Sequence, residues 1–145
     1  MSFPEHGGLR CLELGTPGEM RQRLVALVLA GQKRATAGLL SEYHDEGEPL
    51  EAVGEEQWLL GDDGTPLTRV RYTRVEVVPF AEVTWEFAQA EGEGFTDLEH
   101  WRAGHRRFWS RWYGVDPDDP SFPAHDAAPV VCLWFELVPG SDASP

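Results

Sequence analysis

At 145 residues, with 41% hydrophobic content and six tryptophans, the chain can fold as one domain around a real core, and its composition excludes a disordered class. Its formal charge of −13 opposes a long polyanion, whose binding rests on phosphate neutralisation by Lys and Arg, and favours a small-molecule ligand. No apolar run could cross a bilayer, no basic-then-apolar leader opens the chain, and Cys11 and Cys132 form neither a disulfide framework nor a metal spacing, so a cytoplasmic protein is expected.

The first predicted element is a helix in "TPGEMRQRLVALVLAG". Thr16 is placed to cap it, Pro17 suits the first turn, and Glu19 completes a capping box. Met20, Leu24, Leu27 and Val28 form its apolar stripe, and Gly31 stops it. From Ala35 to Pro49 periodicity fades, and "HDEGEPLEAVGEE" reads as a polar loop. "QWLL", "GDDGTP" and "LTRVRYTRVEVVPF" read as a β-hairpin. In its second strand Val70 and Tyr72 share one parity while Val75 and Val77 share the other, which predicts a bulge near Thr73.

"VTWEFAQAEGEG" reads as a short helix ending at Gly92 or Gly94. "TDLEHWRAGHRRFWSRWYG" follows, with Thr96 and Glu99 as a capping box and Gly114 as its close. Leu98, Trp101, His105, Phe108 and Trp112 make one face of it, and Trp101 and Trp112 are read as core. "DPDDPSFPAHDAAP" is a loop and "VVCLWFELV" a buried strand. The whole, residues 1–145, reads as a single domain with a core of about 17–138 and a loose tail over 139–145. Helices and strands mix without regular βαβ alternation, so the class is α+β, built on a small bent β-barrel with helices packed around it.

One residue stands apart chemically. Of the 12 Lys and Arg residues only Lys33 is a lysine. Arg and Lys share a charge, but only Lys can usefully lose its proton, so a lysine kept in an arginine-rich chain points to chemistry. The competing account is a charge favoured by the dipole of the helix ending just before it. Thr36, three residues on, supplies a hydroxyl that an amine can activate. The pattern G-x-K-x-x-T lacks the upstream glycine and preceding strand of a phosphate-binding loop. His100 and His105 lie five apart, off the spacing that puts two metal ligands on one helical face, and His105 reads as a core or cleft histidine. No metal and no cofactor is expected.

"GQKRATAGLLSEYHDEGEPLEAVG", "RVEVVPFAEVTWEFAQAEGEGFTDLEHWRAGHRRFW" and "PVVCLWFELV" together resemble the ASCH domain family, in the order found there and over roughly Arg21 to Val138. The resemblance implies a fold related to the PUA domain, with a cleft beside the G-x-K-x-x-T segment. It also implies RNA binding or RNA metabolism in some members, RNA cleavage in one branch, and hydrolysis of the acetyl amide of N4-acetylcytidine in another. In that last branch a Lys, a Thr three residues later and a downstream Glu carry the chemistry. Lys33 and Thr36 match the first two, and the third aligns with Glu91, with Glu86 and Glu93 as neighbours. Thr36 would attack the amide carbonyl, neutral Lys33 would take its proton, and Glu91 would assist the leaving nitrogen. Burial would have to lower the Lys33 pKa for that role.

This chain carries a long "HWRAGHRRFW" helix that the amidohydrolase branch lacks, which places it in a larger subgroup. Amide hydrolysis of an N4-acetylcytidine-type nucleoside is the leading expectation. The alternatives are a non-catalytic RNA-binding module and a ribonuclease. Arg34, Trp58, Arg71 and Arg74 are the candidate substrate-binding residues, as phosphate contacts and a stacking platform. The expected partner is a small nucleoside, with RNA disfavoured by charge and no membrane involved.

Overall fold

Tyr72 pairs with Phe135, but Arg74 pairs with the adjacent Trp134, so Thr73 is one extra residue in the ladder. This is the bulge that the phase slip predicts, and it bends strand β5 (Pro66–Pro79) midway along its length. The structure is a computed structural model that describes residues 3–141. Before β5 come β1 (Glu5–His6), β2 (Leu9–Leu12), helix α1 (Glu19–Leu29), β3 (Ala35–Leu39), helix α2 (Leu40–Glu46) and β4 (Glu56–Leu60). After it come a 3-10 turn (Phe80–Glu82), helices α3 (Trp85–Glu91) and α4 (Leu98–Tyr113), and β6 (Pro129–Leu137).

The six strands form one mixed sheet in the order β1-β2-β4-β5-β6-β3. Only β2 and β4 run parallel, and the β4–β5 hairpin turns over "GDDGTP" as expected. The class is α+β. The sheet is bent but open, with β1 and β3 as its edges, rather than closed into a barrel. Successive side chains of a strand point to opposite faces, and β6 shows this plainly. Val130 and Cys132 join one core cluster with Phe80, Phe87, Trp101 and Trp109. Val131, Leu133 and Phe135 join a second with Leu24, Val28, Tyr43 and Tyr72. Helices α3 and α4 therefore cover one face, and α1 and α2 the other.

Two segments differ from their sequence reading. β3 and α2 occupy what reads as weak pattern and polar loop. "ATAGL" has little β-branched or aromatic content, and α2 is only seven residues long, so neither carries a strong periodic signal. The start of α1 also differs. Its N-cap is Gly18 rather than Thr16, and the Gly18 amide donates to Asp62 Oδ1 (2.6 Å) in the hairpin turn. A carboxylate 44 positions away thus does the work that a local hydroxyl was expected to do. Similarly, α4 is capped by Asp97, which accepts from His100 N, and not by Thr96. Within the tail, Ser141 is buried, bonding to Val138 O and Thr68 Oγ1, and residues 142–145 lie outside those described.

A candidate active site around a buried lysine

The site forms where three separate stretches of chain meet. Leaving α1, the amides of Gln32 and Lys33 both donate to Leu27 O (3.0 Å each), which turns the chain back across the helix end. The Arg34 amide then donates to Ala90 O in α3 (2.8 Å), and Arg34 O accepts from Phe135 N in β6 (2.9 Å). Lys33 is thereby pinned between the end of α3 and the start of the edge strand β3. Only 1% of Lys33 is exposed, and every donor of its ammonium has a partner. Nζ donates to Ala35 O at 2.6 Å, Glu93 Oε2 at 2.8 Å and Glu91 Oε2 at 3.2 Å.

Glu91 is equally committed. It is 2% exposed, and its Oε1 accepts from Trp101 Nε1 (2.5 Å) and lies 3.2 Å from His105 Nε2. Both partners come from α4, four residues apart on one face. The imidazole stacks on the Trp101 indole at 4.0 Å, and its Nδ1 lies 2.9 Å from Trp101 O. Lys33, Glu91, Glu93 and His105 form one cluster of titratable groups, the first two of the four buried and Glu93 and His105 partly so. Thr36 lines the same cavity of about 110 Å³ as these four side chains. Leu14, Met20 and Leu24 wall it on one side and Phe95, Phe108 and Trp109 on the other, so it opens where the two cores meet at the β3 edge. Arg21, itself buried, holds the near wall by donating to Leu14 O and Gly15 O.

Electrostatics separate the two carboxylates. Burial alone would raise the Glu91 pKa, yet Lys33, His105 and the Trp101 hydrogen bond together hold it well below the usual carboxylate range. Burial lifts Glu93, with the Glu91 charge adding to it, and Lys33 only partly offsets them. Two neighbouring carboxyls pushed apart in this way suit an acid–base division of labour: a permanently ionised anchor and a proton carrier. Lys33 behaves contrary to the sequence expectation. Burial does press its pKa down, but the pull of Glu91 and Glu93 outweighs it, and the net direction is upward. The resting side chain is an ammonium.

His105 moves the same way, burial lowering its pKa and Glu91 more than restoring it. A group whose folded pKa exceeds its unfolded value stabilises the fold below the unfolded value, and that stabilisation fades as pH rises through the folded one. The unfolding free energy of the parent should therefore exceed that of His105→Gln by more at about pH 6 than at about pH 9, a window set by an ordinary imidazole value of about 6.5. Urea denaturation at the two pH values measures it. An equal gap at both would mean that His105 is neutral throughout.

Of the residues singled out by sequence, Lys33, Thr36 and Glu91 converge, and Arg34, Trp58, Arg71 and Arg74 do not. None of the latter four lines the cavity. Trp58 packs beside Arg69 and His6 on β4. Arg71 pairs with Glu56 and Glu136, and Arg74 lies over Trp134 with Glu76 and Glu86 as ion partners. Arg34 is solvent-exposed. Arg71 and Arg74 thus serve the surplus of acids on the protein's own surface. Trp112 also departs from its reading: it is 52% exposed, not core, while Trp109 takes the buried position. The roles of Glu93 and His105 were missed, although two signals pointed to them. Glu93 stands one glycine past Glu91, and His105 stands one turn past Trp101. Among the described residues no cluster of His, Cys, Asp and Glu could hold a metal ion, and no helix is long and apolar enough to cross a membrane.

The profile of the ASCH domain family matches residues 10–139. Among solved structures, one from Enterococcus faecalis V583 is 32% identical, with a TM-score of 0.76 over 92% of this chain and 78% of that one. An ASCH domain from Lactobacillus crispatus JV V101 is 27% identical, with a TM-score of 0.72 over 88% and 77%. A hypothetical protein at 17% identity shares the fold, with a TM-score of 0.55 over 81% of this chain and 93% of that one. No curated protein gives a significant match.

Proposed function

The chain belongs to the ASCH domain family, and on that footing we propose that it hydrolyses the exocyclic amide of an N4-acylcytidine-type substrate, with Thr36 as the nucleophile. The observation that carries this reading is the convergence of Lys33, Thr36, Glu91 and Glu93 on one small cavity. Pockets that enclose a whole drug-sized ligand run to about 300–1,000 Å³. A cavity of about 110 Å³ instead takes the acylamino edge of a base and leaves the remainder outside.

The protonation states give each residue a part. The Thr36 hydroxyl adds to the acyl carbonyl carbon, and its proton passes to Glu93, the carboxylate whose pKa burial has raised. Once protonated, Glu93 gives up its ion pair with Lys33, and the N–H so released turns to the oxyanion while Glu91 holds the ammonium in place. Collapse breaks the carbon–nitrogen bond, and Glu93 returns the proton to the departing amino group. Water then hydrolyses the acyl-threonine ester, releasing the carboxylic acid and regenerating Thr36. In this scheme Lys33 stabilises charge and Glu93 carries the proton, which revises the neutral-lysine expectation.

An RNA-binding role has less support. Phosphate contacts along a strand need a track of free cations, and two of the arginines that the sequence offers for it, Arg71 and Arg74, are held by carboxylates.

Incubation with N4-acetylcytidine, followed by chromatography for cytidine, tests the proposal. The parent should release cytidine, and Thr36→Ala should slow release about 10²-fold or more, the scale expected for a lost nucleophile. Lys33→Arg should fail too, because a planar guanidinium cannot make the three compact contacts of the ammonium. No release by the parent, or undiminished release by Thr36→Ala, overturns the reading.

A further inference from the structure

A second cavity, of about 360 Å³, adjoins the first and shares Met20, Gly104 and Phe108 with it. Its remaining lining is Thr16, Arg107, Arg111 and Trp112. Arg107 and Arg111 lie one turn apart on α4 and so share a face. In a chain with 25 acidic residues, neighbouring Arg102 and Arg106 each have an acidic partner, in Glu99 and Asp126. Arg107 and Arg111 make no hydrogen bond or ion pair among the described residues. The helix C-terminal dipole accounts for a cation at Arg111, in the last turn, but not for Arg107 further back. Trp112, the most exposed of the large aromatic side chains here, stacks on Phe108 at 6.1 Å and 24° and forms an apolar wall beside the two guanidiniums. Among the described residues the Thr16 hydroxyl has only the Met20 thioether as a partner, at 3.6 Å.

We infer that this outer cavity is a phosphate subsite and that the substrate is a nucleoside monophosphate rather than a free nucleoside. The inference rests on the reading that the inner cavity takes the acylamino edge of the base. With that edge inside, the sugar and its phosphate extend outward past Gly104 along α4. Two unpaired guanidiniums on one face form a fork for phosphate oxygens, which Arg binds in bidentate fashion. The aromatic wall takes the sugar and the outer base edge. A mononucleotide fits better than RNA because the remaining surface is strongly acidic and repels further phosphates.

Calorimetric titration with cytidine and with cytidine 5′-monophosphate tests this without requiring turnover, so it is decided separately from the hydrolysis assay. The monophosphate should bind about tenfold tighter than cytidine or more, and the advantage should shrink as salt is raised. In the double variant Arg107→Gln/Arg111→Gln the two ligands should bind within about twofold of each other. Equal binding by the parent, or an advantage that survives the double variant, overturns the subsite. Inorganic phosphate binding as tightly as the monophosphate overturns the nucleotide assignment, and so does a cytidine oligonucleotide that binds tighter than the monophosphate through the same two arginines.

Discussion

Lys33→Met should destabilise the fold by about 3–5 kcal/mol at about pH 7, the range for removing one partner of a buried ion pair. Methionine fills much of the volume of lysine, so a cavity is not the main term. The charge is. Without the ammonium, Glu91 and Glu93 stay buried side by side, and the Ala35 carbonyl loses its donor. The pH dependence separates this from a packing defect. In the variant both carboxyls have folded pKa values above their unfolded ones, so protonation favours the folded state, and that support is present below the unfolded value and lost on raising pH. In the parent Glu91 is depressed, so its contribution is present above the ordinary value of about 4.3 and fades as pH falls through the folded one. The parent's loss lies below about pH 4.3, so between about pH 7 and about pH 5 it is protonation of the variant's carboxyls that narrows the gap. Guanidinium denaturation at about pH 7 and about pH 5 should show the deficit shrinking. A deficit that does not change with pH would mean that the carboxylates find another partner.

The second large effect belongs to Gly92→Ala. Gly92 closes α3 in the left-handed conformation at φ +64°, and it is where the chain turns from Glu91 to Glu93. A Cβ at this position would stand 2.2 Å from Gln32 O and 3.1 Å from the Lys33 Cα. The left-handed term alone is about 1–2 kcal/mol, and displacing packed backbone adds about 1–3 kcal/mol more. Gly47 provides the internal control. It closes α2 at φ +66° with no atom within 4 Å of its would-be Cβ. Gly47→Ala should therefore lose only the conformational term of about 1–2 kcal/mol, while Gly92→Ala should lose about 2–5 kcal/mol and the Lys33–Glu93 pairing with it. Equal losses in thermal or chemical denaturation would show that the Gln32 segment yields freely.

The unequal legibility of the fold follows from where each signal resides. α3, α4, the β4–β5 hairpin and β6 announce themselves through local periodicity and turn chemistry, and even the Thr73 bulge is written as a parity slip. β3 and α2 are held by tertiary contacts: β3 by its ladder with β6, α2 by a Tyr43 anchored in the core. The site divides the same way. Lys33, Thr36 and Glu91 stand out by rarity, spacing and family pattern. The contact of Glu93 with Lys33 depends on the turn at Gly92, and that of His105 with Glu91 depends on α4 lying across α3. Neither is a property of a stretch of sequence. The charge of −13 did indicate how most arginines are used, as partners of the protein's own acids, but not which ones stay without an acidic partner.

One contact of the Lys33 ammonium reaches beyond the site. β3 is the outermost strand of an open sheet, and its outward carbonyls and amides are the kind of row on which another chain can add a strand. Lys33 Nζ occupies the Ala35 carbonyl at one end of that row, and Glu42 Oε1 occupies the Leu39 amide at the other. The side chain that fixes the charge arrangement of the cleft thus also satisfies an outward carbonyl of the sheet edge. The row left open to another strand is thereby shortened at both of its ends.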